Sequence, residues 1–157
     1  MGLFSALADE SVGGFGGTGF DIAVIFEALG KALNCEPVLP LVMASRLLGF
    51  AGRDQHALLE SVENYAVAIS ELDAPYELSH INCTATSEHR LSGRKSAVYG
   101  GQIAKTFLVA AKAGNILNLY QVDAHQAEVI SYGLIDGGGA AEVLLDDTPA
   151  ELLLCML

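Results

Sequence analysis

The period of the hydrophobic pattern changes near residue 64, and this constrains the fold more than any other feature of the chain. From Phe20 to Leu33, apolar residues stand at Ile22, Ile25, Phe26, Leu29 and Leu33, the stripe of a helix. Asp21 suits the positive end of that helix and Lys31 the negative end. Pro37 and Pro40 have no N–H for a helix interior and are expected to break the chain. A second helix is expected over Leu41 to Phe50, closing at Gly52. A short third, capped by Asp54, carries Leu58, Leu59 and Val62. Beyond Asn64 the pattern reads as strands: Tyr65–Ser70, Ile81–Thr86, Arg90–Val98 with a Ser92-Gly93 turn signal, Phe107–Ala111, Ile116–Val122, Val129–Ile135 and Ala141–Leu145. Gly114-Asn115 marks a hairpin between two of them. Roughly even strand spacing argues for an antiparallel barrel or sandwich. The expected class is α+β, with a helical part over 1–63 and a β domain over 64–157.

Charge and composition narrow the function. Nineteen Asp and Glu against eight Lys and Arg give a net charge of −11. That disfavours a nucleic-acid partner, because neutralising phosphates takes clustered cations. The uncharged apolar stretches fall short of the ~20 residues of a membrane-spanning helix. Cys35, Cys83 and Cys155 are odd in number and widely spaced, which suits reduced thiols in the cytoplasm rather than a disulfide framework. The chain ends Leu152-Leu153-Leu154-Cys155-Met156-Leu157, an apolar tail that either docks into the core or is covered by other protein.

Motif by motif, the chain carries little chemistry of its own. Gly14-Phe15-Gly16-Gly17-Thr18-Gly19 matches GxGxxG, but Ser5 to Glu10 before it lacks strand character, so a glycine-rich turn is the better reading. His56, His80, His89 and His125 have no metal-ligand spacing. Asn82-Cys83-Thr84 is a glycosylation sequon without a secretory signal to give it meaning. Asp136 beside Gly137-Gly138-Gly139, and Asp146-Asp147, suit solvated turns better than a paired-carboxylate site.

As an ordered string, the chain resembles an acyl-CoA dehydrogenase. The family's Gly-Gly loop, Asp, and helix ending Glu-x-Leu-Gly-x-Ala are matched by Gly13–Gly17, Asp21 and Glu27-Ala28-Leu29-Gly30-Lys31-Ala32. Ser70-Glu71 matches the Thr-Glu that ends the first strand of the family's middle β domain. Leu91-Ser92-Gly93-Arg94-Lys95 matches a Leu-x-Gly-x-Lys hairpin. Phe107–Ala111, Leu119–Asp123 and Ala141–Asp146 follow in order. Two departures are similar to the small subunits of two-subunit dehydrogenases of the pimeloyl-CoA type. Pro75-Tyr76-Glu77 stands for the family's Gly-Ser-Asp, and Ala97-Val98-Tyr99 for its Trp-Ile-Thr.

The resemblance implies FAD-dependent α,β-dehydrogenation of an acyl-CoA thioester, with hydride passing to flavin N5. By position, Ile69 and Ser70 would serve the pyrimidine edge of the flavin. Ala97, Val98 and Tyr99 would lie beside the ring, and Tyr76 stands where a pyrophosphate-contacting serine is usual. Glu71 holds a loop rather than acting as a base. The implied partners are an electron-transfer flavoprotein as acceptor and a homo- or hetero-oligomer with a related subunit. The family's C-terminal helical domain, which carries the catalytic glutamate, has no counterpart here. The expectation is therefore a fragment or subunit that is inactive alone and has no catalytic residue or metal site of its own. Its two long helices should lack their usual covering. The alternatives are a non-catalytic assembly subunit and a small β-barrel ligand binder.

Overall fold

A computed structural model of the chain describes residues 3–60, 63–73, 75 and 77–155. Four helices come first: α1 (Leu3–Leu7), α2 (Gly19–Lys31), α3 (Val38–Phe50) and α4 (His56–Leu59). Eight strands follow: β1 (Tyr65–Ala68), β2 (Thr84–Ala85), β3 (Arg90–Tyr99), β4 (Thr106–Ala113), β5 (Ile116–Asp123), β6 (Glu128–Gly133), β7 (Gly139–Pro149) and β8 (Glu151–Cys155). Among the described residues no helix is long and apolar enough to cross a membrane.

At the start of α2, the Asp21 carboxylate accepts from both the N–H and the hydroxyl of Thr18, at 2.7 Å each. Ile22, Ile25, Phe26 and Leu29 pack on Val38 and Val42 of α3, as the stripe requires. Leu33, expected to complete the stripe, lies outside the helix. It sits at φ 51° in the reversal after Lys31 and is 84% exposed. No residue of α2 is fully buried, and Phe20 and Val24 face solvent. A helix apolar on both sides is normally one with neighbours on both sides.

The prolines do not break the second helix; they begin it. Pro37 is its N-cap and Pro40 lies in its first turn, where the missing N–H has no intrahelical partner to lose. The helix closes at Gly52 (φ 63°), as expected. Asp54, expected to cap α4, lies one residue ahead of its N-cap, Gln55, and accepts from the His56 N–H at 3.0 Å. Val62 lies outside the described residues.

The strands form one sheet in the order β6-β7-β3-β2-β4-β5-β8, with β1 pairing in parallel alongside β4. Apart from β1–β4 and β2–β4, every pairing is antiparallel. The hairpin at Gly114-Asn115 is present, with Ala113 opposite Ile116 and Gly114 at φ 62°. One core cluster takes Val143 of β7, Leu91 and Val98 of β3, Phe107 and Val109 of β4, and Tyr120 and Val122 of β5. Residues this far apart in strand order meet only because the sheet curls on itself, the barrel-like closure expected of an α+β chain. The opposite face of β4 gives Leu108 to a second cluster, with Ala44 and Leu48 of α3, Leu58 of α4 and Leu153 of β8. Helices and sheet thus share a core.

Two expectations need correction. Ser92-Gly93 is no turn: β3 runs through it with a bulge, and the register on β7 shifts between Leu91 and Gly93. The strand expected over Ile81–Thr86 reduces to Thr84–Ala85, because the chain before it is held by a side chain rather than by a ladder. The apolar tail is docked through Cys155. It forms β8 on β5, with Leu153 only 9% exposed.

Candidate functional site

The sheet alone does not place residues 69–71. The β1 ladder ends at Ala68 opposite Val109, so Ile69, Ser70 and Glu71 continue past it. Two residues of β3 hold them. The Ser96 N–H donates to the Ser70 carbonyl at 2.9 Å. The Lys95 ammonium donates to the Ile69 carbonyl at 3.1 Å and to Glu71 Oε1 at 2.8 Å. This brings the expected Ile69–Ser70 and Ala97–Tyr99 segments side by side.

Lys95 is 0% exposed and Glu71 6%, so the ion pair is buried. Glu71 also accepts from the Asn82 N–H at 2.7 Å and the Cys83 N–H at 2.9 Å. Burial raises its pKa, but the Lys95 ammonium and the two N–H groups outweigh that and hold the carboxyl below its ordinary value. It is a loop anchor, not a base poised to titrate. Burial pushes the neighbouring Cys83 thiol up to about 11, despite the Lys95 charge.

On β3 a second irregularity falls between Lys95 and Val98, with Ala97 at φ 52°. Val98 turns into the core, and at 1% exposure its backbone is enclosed along with its side chain. Ala97 is exposed and Tyr99 half-buried. Glu142 on β7 holds the bulge. It accepts from Ser96 Oγ (2.8 Å), Arg94 Nε (2.9 Å), the Ala97 N–H (3.3 Å) and the Tyr132 hydroxyl (3.3 Å). Burial works against its ionised form, yet Ser96, Arg94 and Ala97 together bring its pKa below the ordinary value. Glu142 was not singled out in the sequence, because three of its four partners, Arg94, Ser96 and Ala97, lie more than forty residues away.

The side chain of Tyr99 borders a small apolar crevice with Leu39, Pro40 and Met43 of α3 and Val67 of β1. Burial raises its hydroxyl pKa, aided by the charge of Asp136 and by Cys35. Among the described residues, Ser70 Oγ makes a long bond, donating to the Pro75 carbonyl at 3.5 Å. Tyr76 lies outside the described residues. Ala97 thus leaves a small methyl at the surface beside the Ser70 hydroxyl, a flat apolar contact next to a polar group, which is the chemistry a flavin ring would need.

The remaining sequence candidates are structural. Helix α1 and a 3-10 turn at Glu10–Val12, not a strand, precede the glycine loop. Asp136 accepts from the Gly138 N–H at 2.9 Å in a turn, and Asp147 pairs with Arg90 at 2.7 Å. Among the described residues no cluster of His, Cys, Asp and Glu is arranged to hold a metal. The three cysteines are unpaired, and Cys35 Sγ donates to the Asp136 carbonyl at 2.8 Å.

No protein-family model matches the chain, and no curated protein is significantly similar to it. Solved structures are. The chain is similar to the ChsE4–ChsE5 complex from Mycobacterium tuberculosis, with a TM-score of 0.85 and 21% identity over 99% of this chain and 45% of that one. It is similar to an acyl-CoA dehydrogenase from Geobacillus kaustophilus, with a TM-score of 0.76 and 17% identity over 99% and 47%. An FAD complex of PigA gives a TM-score of 0.68 and 21% identity over 98% and 46%. The chain spans less than half the length of each of these. At these identities the likeness establishes the fold: the chain is built like part of an acyl-CoA dehydrogenase.

Proposed function

We propose that this chain forms the flavin-facing wall of an FAD-dependent acyl-CoA dehydrogenase assembly that introduces an α,β double bond into an acyl-CoA thioester. The observation that carries the reading is the Ser96 to Ser70 hydrogen bond, which joins Ile69–Ser70 and Ala97–Tyr99 into one surface. FAD, when bound, supplies the hydride acceptor. Ile69 offers its N–H and Ser70 a hydroxyl to its polar edge. Ala97 gives the face a small apolar contact, and Val98 backs it from the core. Tyr99 places a hydroxyl at the end of the wall and, with Leu39, Met43 and Val67, keeps water from the acyl carbons.

Among the described residues, the two carboxylates beside this wall serve as hydrogen-bonded anchors. Glu71 and Glu142 are both held as hydrogen-bonded anions below the ordinary carboxylate range. This reading assigns the base to residues beyond this wall and takes as partner a homo- or hetero-oligomer with a related dehydrogenase subunit. The likeness to the ChsE4–ChsE5 complex supports that arrangement. An electron-transfer flavoprotein is the acceptor this reading assigns, and three unpaired thiols suit the cytoplasm.

One observation favours a second reading, an assembly subunit that holds no flavin. Glu142 already takes the Ala97 N–H. Titration of the purified chain with FAD, followed by flavin fluorescence and absorbance, separates the two. Saturable 1:1 binding supports the flavin wall. Protein that stays colourless at high FAD, alone and with a related dehydrogenase subunit, overturns it in favour of the assembly role.

A further inference from the structure

A lysine that is wholly buried in a strand needs a reason, since an apolar side chain of the same length fills the space without desolvating a charge. Replacing buried ion pairs by apolar residues is often neutral or stabilising. What an apolar side chain cannot do is hold a carbonyl at a fixed place. Lys95 Nζ does so for Ile69, at 3.1 Å, from β3 across to a segment that has left the β1 ladder. Its other partner, Glu71, is tied in turn to the Asn82 and Cys83 N–H groups. One ion pair thereby pins both ends of the loop between Glu71 and Asn82, whose Leu72 and Leu78 are exposed.

We propose that Lys95 is a positioning residue for the flavin wall. Its ammonium, oriented by Glu71, fixes the Ile69 carbonyl and so sets Ile69 and Ser70 against the Ser96–Ala97 bulge. Lys95 itself touches no ligand, being enclosed on every side. Ile69 also packs on the core cluster that holds Val98, and among the described residues the clamp and the Ser96 N–H are the polar contacts that register this segment on β3. The inference rests on the flavin reading for its consequence, but not for its geometry.

The test uses the full chain and two variants. One carries Lys95→Met together with Glu71→Gln, so that no unpaired carboxylate is left buried, and the other carries Glu71→Gln alone. Amide hydrogen exchange at Ile69, Ser70 and Glu71 reads the position of the segment. FAD titration reads its consequence, and far-ultraviolet circular dichroism confirms folding. In the double variant we expect exchange at these three amides to quicken at least tenfold while amides in β4 and β5 are unchanged. FAD affinity should fall about tenfold, and the bound-flavin absorption band should lose vibrational definition. The single variant keeps Lys95 on Ile69 and should lie between. Unchanged exchange at Ile69–Glu71 in a folded double variant overturns the proposal, as does wild-type FAD affinity with an unaltered band. If the wild-type chain itself takes no FAD, the flavin reading fails, and the exchange rates alone decide the clamp. If the double variant does not fold, the single variant decides on the same readouts.

Discussion

Gly93 lies so close to Cys83 that a Cβ on the glycine would stand 2.8 Å from the Cys83 Cα. Its φ of 149° also belongs to a region that L side chains rarely adopt. The bulge in β3 is what lets the strand pass the segment that Glu71 holds. Gly93→Ala should therefore destabilise the protein by about 2–4 kcal/mol through strain and overpacking together. Urea unfolding checks this as a lower midpoint at an unchanged slope. A midpoint equal to wild type would mean that Cys83 and its strand move aside freely.

The acid limb of the stability curve should report Glu71. Its folded pKa is depressed, so its contribution is fully present above its unfolded value near 4.5 and is lost as pH falls through the folded value. Unfolding free energy should therefore drop below about pH 4.5, and Glu71→Gln should flatten that drop. Glu142 acts in the same direction with a smaller share, because its site is more open to solvent. Denaturant titrations at stepped pH values measure the slope. An equal acid slope in wild type and Glu71→Gln would contradict the assignment.

Thiol chemistry should separate the three cysteines. Cys35 and Cys155 are exposed, whereas Cys83 is buried with its thiol held near 11. The thiolate is the reacting species. A colorimetric thiol reagent at neutral pH should modify two sites promptly and the third only after denaturant is added. Three fast sites in the native protein would show that the loop from Glu71 to Cys83 opens readily.

On the flavin reading, Ser70→Ala removes one side-chain hydrogen bond to the polar edge. The expected loss of FAD affinity is about 1 kcal/mol, or roughly fivefold. The loss in stability should be small, since the Oγ contact with Pro75 is long. Fluorescence titration of both proteins decides it, and equal affinities would move Ser70 away from the ring.

The candidate site was legible in part. Glu71 at the end of β1 reads in sequence as a residue that holds a loop, and it does so through the Asn82 and Cys83 N–H groups. Lys95 enters the sequence reading only as part of a motif. Its inward phase on β3 looks like an error of pattern until its acidic partner, 24 residues earlier, is seen beside it. Pro40 misled because the rule against proline applies to helix interiors, and its place in the first turn depends on where the helix starts. Ser92-Gly93 misled because the same dipeptide serves a turn or a bulge, and pairing with β7 selects the bulge.

The amino-acid order by itself determined the switch from helical to strand period near residue 64, the hairpin at Gly114-Asn115 and the strongly acidic balance. These are local matters of backbone preference and side-chain alternation, carried by neighbours a few positions apart. Tertiary structure alone decided that Ser96 meets Ser70, that Lys95 lies under Ile69, and that the apolar tail becomes the outer strand on β5. Those meetings follow from how far the sheet curls and where its bulges fall, quantities set by the packing of the whole core at once.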